Sequence, residues 1–120
     1  IYSPTRMIIR KANLEDLNTI QLLRKQLLKE TNRISKNSDS LMKTYLNRKT
    51  SLFLVAETEK IIGFIHIIDN YIHDLYVIPE ERNKGIGTKL LKTLPKKTYK
   101  VTTENKRFYK KNGFREEQFT

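Results

Sequence analysis

Chemistry is concentrated in Arg82, Asn83, Lys84, Gly85, Ile86, Gly87 and Thr88. Upstream, Leu75 to Ile78 reads as the end of a strand stopped by Pro79, and downstream Ile86, Leu90, Leu91 and Leu94 fall at helical spacing. The two glycines therefore stand at the mouth of a helix. A helix start carries backbone N–H groups without intrahelical acceptors and the positive end of a dipole, and glycine lets an anion come close to both. Arg82 and Lys84 add full charges beside them. Such a terminus stabilises an exposed anion by about 0.3–1 kcal/mol, and by up to about 2 when partly buried. A diphosphate suits this cradle. By itself, the pattern of Arg or Gln, two free positions, Gly, one free position and Gly or Ala arises by chance in about one chain of this length in ten, so its surroundings must decide. No third glycine follows to make a dinucleotide fingerprint, and no Gly-Lys-Ser/Thr makes a triphosphate loop.

The remaining composition removes whole classes of chemistry. The 120 residues include no cysteine and only two histidines, His66 and His73, which excludes thiol nucleophiles, disulfides and cysteine zinc sites. No metal is expected, because two histidines are too few for a histidine-only site. The length fits one domain. Lys and Arg number 24 against 13 acidic residues, for a net charge of +11; residues 79–120 hold twelve of those cations and five of the acids. Anions should be drawn to that third of the chain. No apolar run approaches the roughly 18 residues of a membrane span, and no secretory signal is present, so a cytoplasmic protein without membrane contact is expected. Ile1 to Arg6 precede Met7, where hydrophobic patterning begins; we read 1–6 as a tag remnant and 7–120 as the domain.

The elements that must position the cradle follow from periodicity. Met7 to Arg10 is a short apolar stretch, and Asn13 with Asp16 resembles a capping box. Leu14, Leu17, Ile20, Leu23, Leu27 and Leu28 then mark an amphipathic helix to about Glu30. Thr31 to Ser40 reads as a loop, and a second helix is expected from Asp39 or Ser40 to about Asn47. Leu52 to Ala56 and Ile61 to Ile68 read as a mid-sheet antiparallel hairpin around the turn Glu57 to Lys60. After Asp69 and Asn70, Tyr71 to Ile78 makes a third strand. Strict alternation there puts Tyr71, His73, Leu75 and Val77 on one face and Ile72, Asp74, Tyr76 and Ile78 on the other. Beyond the helix ending before Pro95, Tyr99 to Thr102 is a short strand, Asn105 to Asn112 a short helix turned by Gly113, and Phe114 to Phe119 a last strand. The order β-α-α-β-β-β-α-β-α-β predicts an α+β fold, a mixed, mostly antiparallel sheet flanked by helices.

Leu75-x-Val77-x-Pro79-Glu80-x-Arg82-x-x-Gly85-x-Gly87, followed by Asn105 and by Phe108-Tyr109-x-x-x-Gly113-Phe114, resembles the GNAT superfamily of acetyl-CoA-dependent N-acetyltransferases. The resemblance runs from Met7 almost to the end. It implies that Arg82 through Thr88 wraps the coenzyme A diphosphate with backbone N–H groups. The strand carrying Leu75, Tyr76, Val77 and Ile78 should bulge and splay from its neighbour and hydrogen-bond the pantetheine arm near Val77 and Ile78. Asn105 matches a cofactor-contacting position, although it stands nearly one helical turn closer to Tyr109 than the family usually has it. Tyr109 matches a tyrosine beside the sulfur that protonates the departing thiolate. Some branches place a base at the positions of Tyr71 or His73, which makes His73 the candidate general base, with an unperturbed pKa near 6.5. Asp74 is the lesser candidate, and His66, inside an apolar run, reads as structural.

The implied activity is direct transfer of an acetyl group from acetyl-CoA to a primary amine. Two other functions fit the same fold: a basic nucleic-acid or ribosome-binding protein, and a non-catalytic coenzyme A binder. A net charge of +11 disfavours polyamine acceptors and favours acidic peptides, protein N-termini in acidic contexts, aminoacylated RNA or small anionic amines. The family's usual last strand has no counterpart after Phe119. A bare sheet edge invites pairing, so either an internal rearrangement or, as the stronger expectation, a homodimer should cover it.

Overall fold

Two apolar runs form the middle of the sheet in the computed structural model, which describes residues 6–33 and 46–120. Strand β2 (Ser51–Glu57) pairs antiparallel with β3 (Ile61–Ile68), in register from Ser51 opposite Ile68 to Ala56 opposite Gly63, after which the register shifts and Glu57 lies opposite Ile61. Phe53 to Ala56 and Ile61 to Ile67 are all buried. Consecutive strand residues point to opposite faces, so burial of every one means both faces are covered. That is why these runs are continuously apolar. Strand β1 (Ile8–Lys11) adds to β2 and β4 (Tyr71–Val77) to β3, both antiparallel, while β5 (Lys100–Val101) runs parallel to β4. The five strands lie in the order β1-β2-β3-β4-β5. Helices α1 (Leu17–Glu30) and α2 (Ile86–Thr93) both pack on β3 and β4, and α3 (Lys106–Lys111) follows β5. This is the expected mixed, mostly antiparallel α+β architecture. No helix among the described residues is long and apolar enough to cross a membrane.

The start of α1 shows how local chemistry fixes an element. Asn13 Oδ1 accepts from Glu15 N–H at 2.9 Å, and the Asp16 carboxylate accepts from Asn13 N–H at 2.8 Å, completing the capping box. The first turn, Leu14–Asp16, is a tighter 3₁₀ turn, which shifts the phase of the helix. Leu14 is therefore 57% exposed, contrary to its predicted place on the core face, whereas Ile20, Leu23, Leu27 and Leu28 are buried. Arg10 ties this entry to the sheet: its guanidinium meets Asp16 at 2.7 and 2.9 Å and Glu57 at 3.1 and 3.2 Å.

Two expectations need correction. Phe114 to Phe119 is not a strand but a turn closed by a 3₁₀ helix at Glu116–Gln118. Gln118 explains the difference, because its Oε1 accepts from Arg115 N–H at 2.9 Å and its Nε2 donates to Tyr99 C=O at 2.8 Å. Phe119 meets the sheet through a single bridge to Val101, and Thr120 N–H donates to Val101 C=O at 3.1 Å. The outer side of β5 is thus met by the chain itself, the weaker of the two solutions expected. Second, alternation along β4 fails at His73: His66 pairs with Asp74 but Ile67 pairs with Ile72, so His73 is the extra residue of a β-bulge. The expected second helix lies, up to Tyr45, outside the described residues, as do Ile1 to Thr5.

Candidate active site

The site begins where pairing stops. Strand β4 meets β5 only at Tyr71 with Lys100 and Ile72 with Val101; β5 ends there, and β4 runs on without a partner on that side. On its other side β4 remains paired with β3 as far as Val77, and Ile78 N–H donates to Ile62 C=O at 2.9 Å. Alternate residues of an antiparallel pair bond toward their partner, so the even-numbered residues from Asp74 to Ile78 bond toward β3, and Leu75 and Val77 turn their backbone groups to the other edge, where Val77 C=O accepts from Arg82 Nε at 2.8 Å. Beyond Ile72, where the resemblance implies a splay, β4 is unpaired on the β5 side. The bulge sits at His73, before Leu75 rather than within Leu75–Val77. Ile78 and Tyr76 do not serve the open edge: the Ile78 N–H is already bonded, and the Tyr76 hydroxyl reaches Gln26 and Glu30 on α1.

Beyond the end of β4 lies the predicted cradle. A 3₁₀ turn, Pro79–Glu81, leads into Asn83 at φ 65° and Gly85 at φ 79°, with α2 starting at Ile86. Left-handed residues spaced this way gather successive N–H groups onto one side. Among the described residues, the N–H groups of Asn83, Lys84, Gly85, Ile86, Gly87 and Thr88 find no acceptor in the chain, and helical bonding resumes with Lys89 N–H to Gly85 C=O at 3.0 Å. Gly87 lies against α3, where a Cβ would come within 3.1 Å of Phe108. The two cations of the loop are not free, however. Arg82 Nη2 bonds both carboxylate oxygens of Glu30, and Lys84 Nζ bonds Glu81 at 2.9 Å. Both cations are thus balanced by carboxylates, and the groups left unbonded at the loop are its amides and the helix start.

Tyr109 lies on α3, 6% exposed, ringed by Phe108, Phe114 and Phe119 at 5.0–6.4 Å between ring centroids. Its hydroxyl bonds no described residue, although no fully buried side-chain polar atom among them lacks a partner, so the oxygen opens outward. Burial pushes its pKa well above the ordinary tyrosine value, and the Asp74 carboxylate adds to the rise. The phenol stays protonated at neutral pH. Asn105 caps α3, its Oδ1 accepting from Phe108 N–H at 3.4 Å.

On β4, His73 keeps an exposed ring between Tyr71, at 5.1 Å, and His66, at 5.5 Å. Partial burial holds its pKa below the usual value, with Asp74 opposing and Arg24 assisting that shift. His66 is the structural histidine expected: it stacks on Phe53 at 3.8 Å, shares a 2.9 Å hydrogen bond with Ser51 Oγ, and is lowered by burial to about 3. The bulge brings His73 and Asp74 to the same neighbourhood of Arg24, contrary to the opposite faces that alternation predicts. Asp74 is buried and paired with Arg24 at 3.1 Å and Arg33 at 3.9 Å. Sequence reasoning missed Arg24, Arg33 and Glu30 because each lies on α1 or just after it, distant in sequence, with only its outer-face position to mark it.

With this geometry in place, the comparisons agree. The acetyltransferase (GNAT) domain profile matches residues 49–116, and the chain belongs to that family of acetyltransferases. A predicted acetyltransferase from Clostridium acetobutylicum, solved with acetyl-CoA, is similar at 24% identity and a TM-score of 0.77, over 92% of this chain and 91% of that one. The AAC(6')-Iy structure in complex with a bisubstrate analogue, CoA-S-monomethyl-acetylneamine, is similar at 19% identity and a TM-score of 0.77, over 93% and 92%. A possible acetyltransferase from Clostridium difficile 630 gives 23% and 0.77, over 92% and 91%. No curated protein matched in sequence.

Proposed function

We propose that this chain transfers an acetyl group from acetyl-CoA to a primary amine by direct attack. One observation carries the reading: unpaired N–H groups from Asn83 to Thr88 stand at the end of a strand whose open edge presents Leu75 and Val77. When bound, acetyl-CoA supplies the thioester that the amine attacks. The loop amides hold the diphosphate, and the backbone of Leu75 and Val77 lines the slot for the arm and steadies the developing oxyanion. An ammonium cannot attack, and deprotonating a lysine side chain at pH 7 costs about 4.6 kcal/mol. His73, neutral because its pKa is lowered, takes that proton. As the new C–N bond forms and the C–S bond breaks, Tyr109 Oη gives its proton to the thiolate. Asn105 completes the cofactor side from the start of α3.

Titration calorimetry with coenzyme A tests the binding half; absence of heat at about 100 μM ligand would remove the reading. For the chemical half, Tyr109→Phe should lower kcat by about 10²-fold and leave coenzyme A affinity unchanged. An equal loss of affinity would reassign Tyr109 to packing. The acceptor is best sought by thiol release across an amine panel. Aminoglycosides, the acceptor class named for AAC(6')-Iy, are polycationic, so the +11 charge favours the anionic arm of that panel here. The reading includes a homodimer over the sheet edge beyond β5, where Phe119 makes only a single bridge, to Val101. Light scattering giving a monomer at micromolar concentration would remove that part alone.

A further inference from the structure

We propose that Glu30 is a positioning residue for acetyl-CoA: acting through Arg82, it fixes the phosphate loop relative to the open edge of β4. The inference rests on the reading above and adds a residue from α1, an element outside the loop and strand that hold the ligand.

Helix α1 and strand β4 meet at one guanidinium of the loop. Arg82 is the first residue after the 3₁₀ turn and directly precedes the unpaired amides. Its Nη2 donates to Glu30 Oε1 at 2.8 Å and Oε2 at 3.1 Å, and its Nε donates to Val77 C=O at 2.8 Å. Its Cζ stands 5.3 Å from the centre of the Tyr76 ring, and the Tyr76 hydroxyl bonds the same Glu30 carboxylate while reaching Gln26 Oε1 at 3.3 Å. A guanidinium is a rigid planar fork, so anchoring Nε on the strand and Nη2 on the helix removes its rotational freedom. The backbone that follows inherits this orientation. The Arg82 and Glu30 side chains are 41% and 39% exposed, and an isolated pair so exposed contributes little to folding. Convergence of strand carbonyl, aromatic face and carboxylate on a single side chain is what aims the loop.

The arrangement admits an opposite role that experiment separates cleanly. If Glu30 merely occupied Arg82 and kept it from the diphosphate, removing the carboxylate would free a cation and tighten binding. A positioning residue predicts the reverse. Glu30→Gln should raise KM for acetyl-CoA and weaken coenzyme A binding about fivefold, with kcat, acceptor KM and thermal midpoint unchanged. Tyr76→Phe, which keeps the ring and removes one hydrogen bond to Glu30, should give a smaller loss in the same direction. Glu15→Gln, an exposed carboxylate at the other end of α1, should change nothing. Tighter binding, unchanged binding, or a fall in kcat equal to the rise in KM would each overturn the proposal. Amide exchange in the ligand-free protein separates this idea from the proposed function. Glu30→Gln should speed exchange at the hydrogen-bonded amides of Glu81, Arg82 and Lys89 and leave β3 unchanged. That result holds whether or not coenzyme A binds, and its absence overturns the positioning role.

Discussion

The β2–β3 hairpin and the β4–β5 pair are built from the same material to opposite ends. In the hairpin every residue from Ser51 to Glu57 has a partner across the ladder and nearly every side chain is buried. In the other pair there are only two rungs, and the rest of β4 is left without a partner on that side, the edge to which the proposed function assigns the ligand. Stability and function are thus divided between neighbouring strands of one sheet. Substitution in the hairpin should cost folding, whereas substitution around the open edge should cost ligand.

The largest expected effect breaks the paired side. A Cβ at Gly63 would stand 2.7 Å from the Tyr76 carbonyl oxygen, so β3 and β4 approach each other there too closely for a side chain. Gly63→Val should destabilise the protein by about 2–4 kcal/mol, read as a lower urea midpoint; a loss under about 0.5 kcal/mol would contradict the tight contact.

Next comes an acid titration of the same region. His66 is neutral in the fold with its pKa lowered to about 3, while the unfolded chain protonates near 6.5. The unfolded state therefore binds the extra proton between those values, so this contribution is whole above pH 6.5 and declines as pH falls toward 3. The slope should be about 1 kcal/mol per pH unit, and His66→Gln should flatten it. A slope unchanged in the variant would place the acid sensitivity elsewhere.

The smallest stability effect, on the open side, sharpens the contrast. A Cβ at Gly85 would meet nothing within 4 Å, but the residue sits at φ 79°, so Gly85→Ala meets strain rather than a clash. It should lower stability by only about 1 kcal/mol and weaken coenzyme A binding by a larger factor. Equal small effects on both would mean that the loop conformation is not what the ligand reads.

Legibility in the sequence follows the same division. The hairpin is readable because burial on both faces demands unbroken apolar runs, and the loop because glycines at a helix mouth have few other uses. The capping box at Asn13 and Asp16 is equally plain. What escapes is set by contacts distant along the chain. Nothing local at Phe114 to Phe119 reveals that Gln118 will hold Tyr99, and that contact decides between strand and turn. The bulge at His73 leaves no mark in an otherwise alternating segment, yet it brings Asp74 and His73 to one neighbourhood. Arg82 does stand at the loop, but its partner lies 52 residues away on α1, so a charge expected to face the ligand is instead held by Glu30.

The slot between β4 and β5 is made from absent rungs and main-chain groups, and a main-chain group is common to all residues. Such a recess can outlast wholesale replacement of the side chains around it, provided β4 still runs on past the end of β5. A neighbour sharing 24% of its residues yet superposing with a TM-score of 0.77 is the kind of relative that architecture permits.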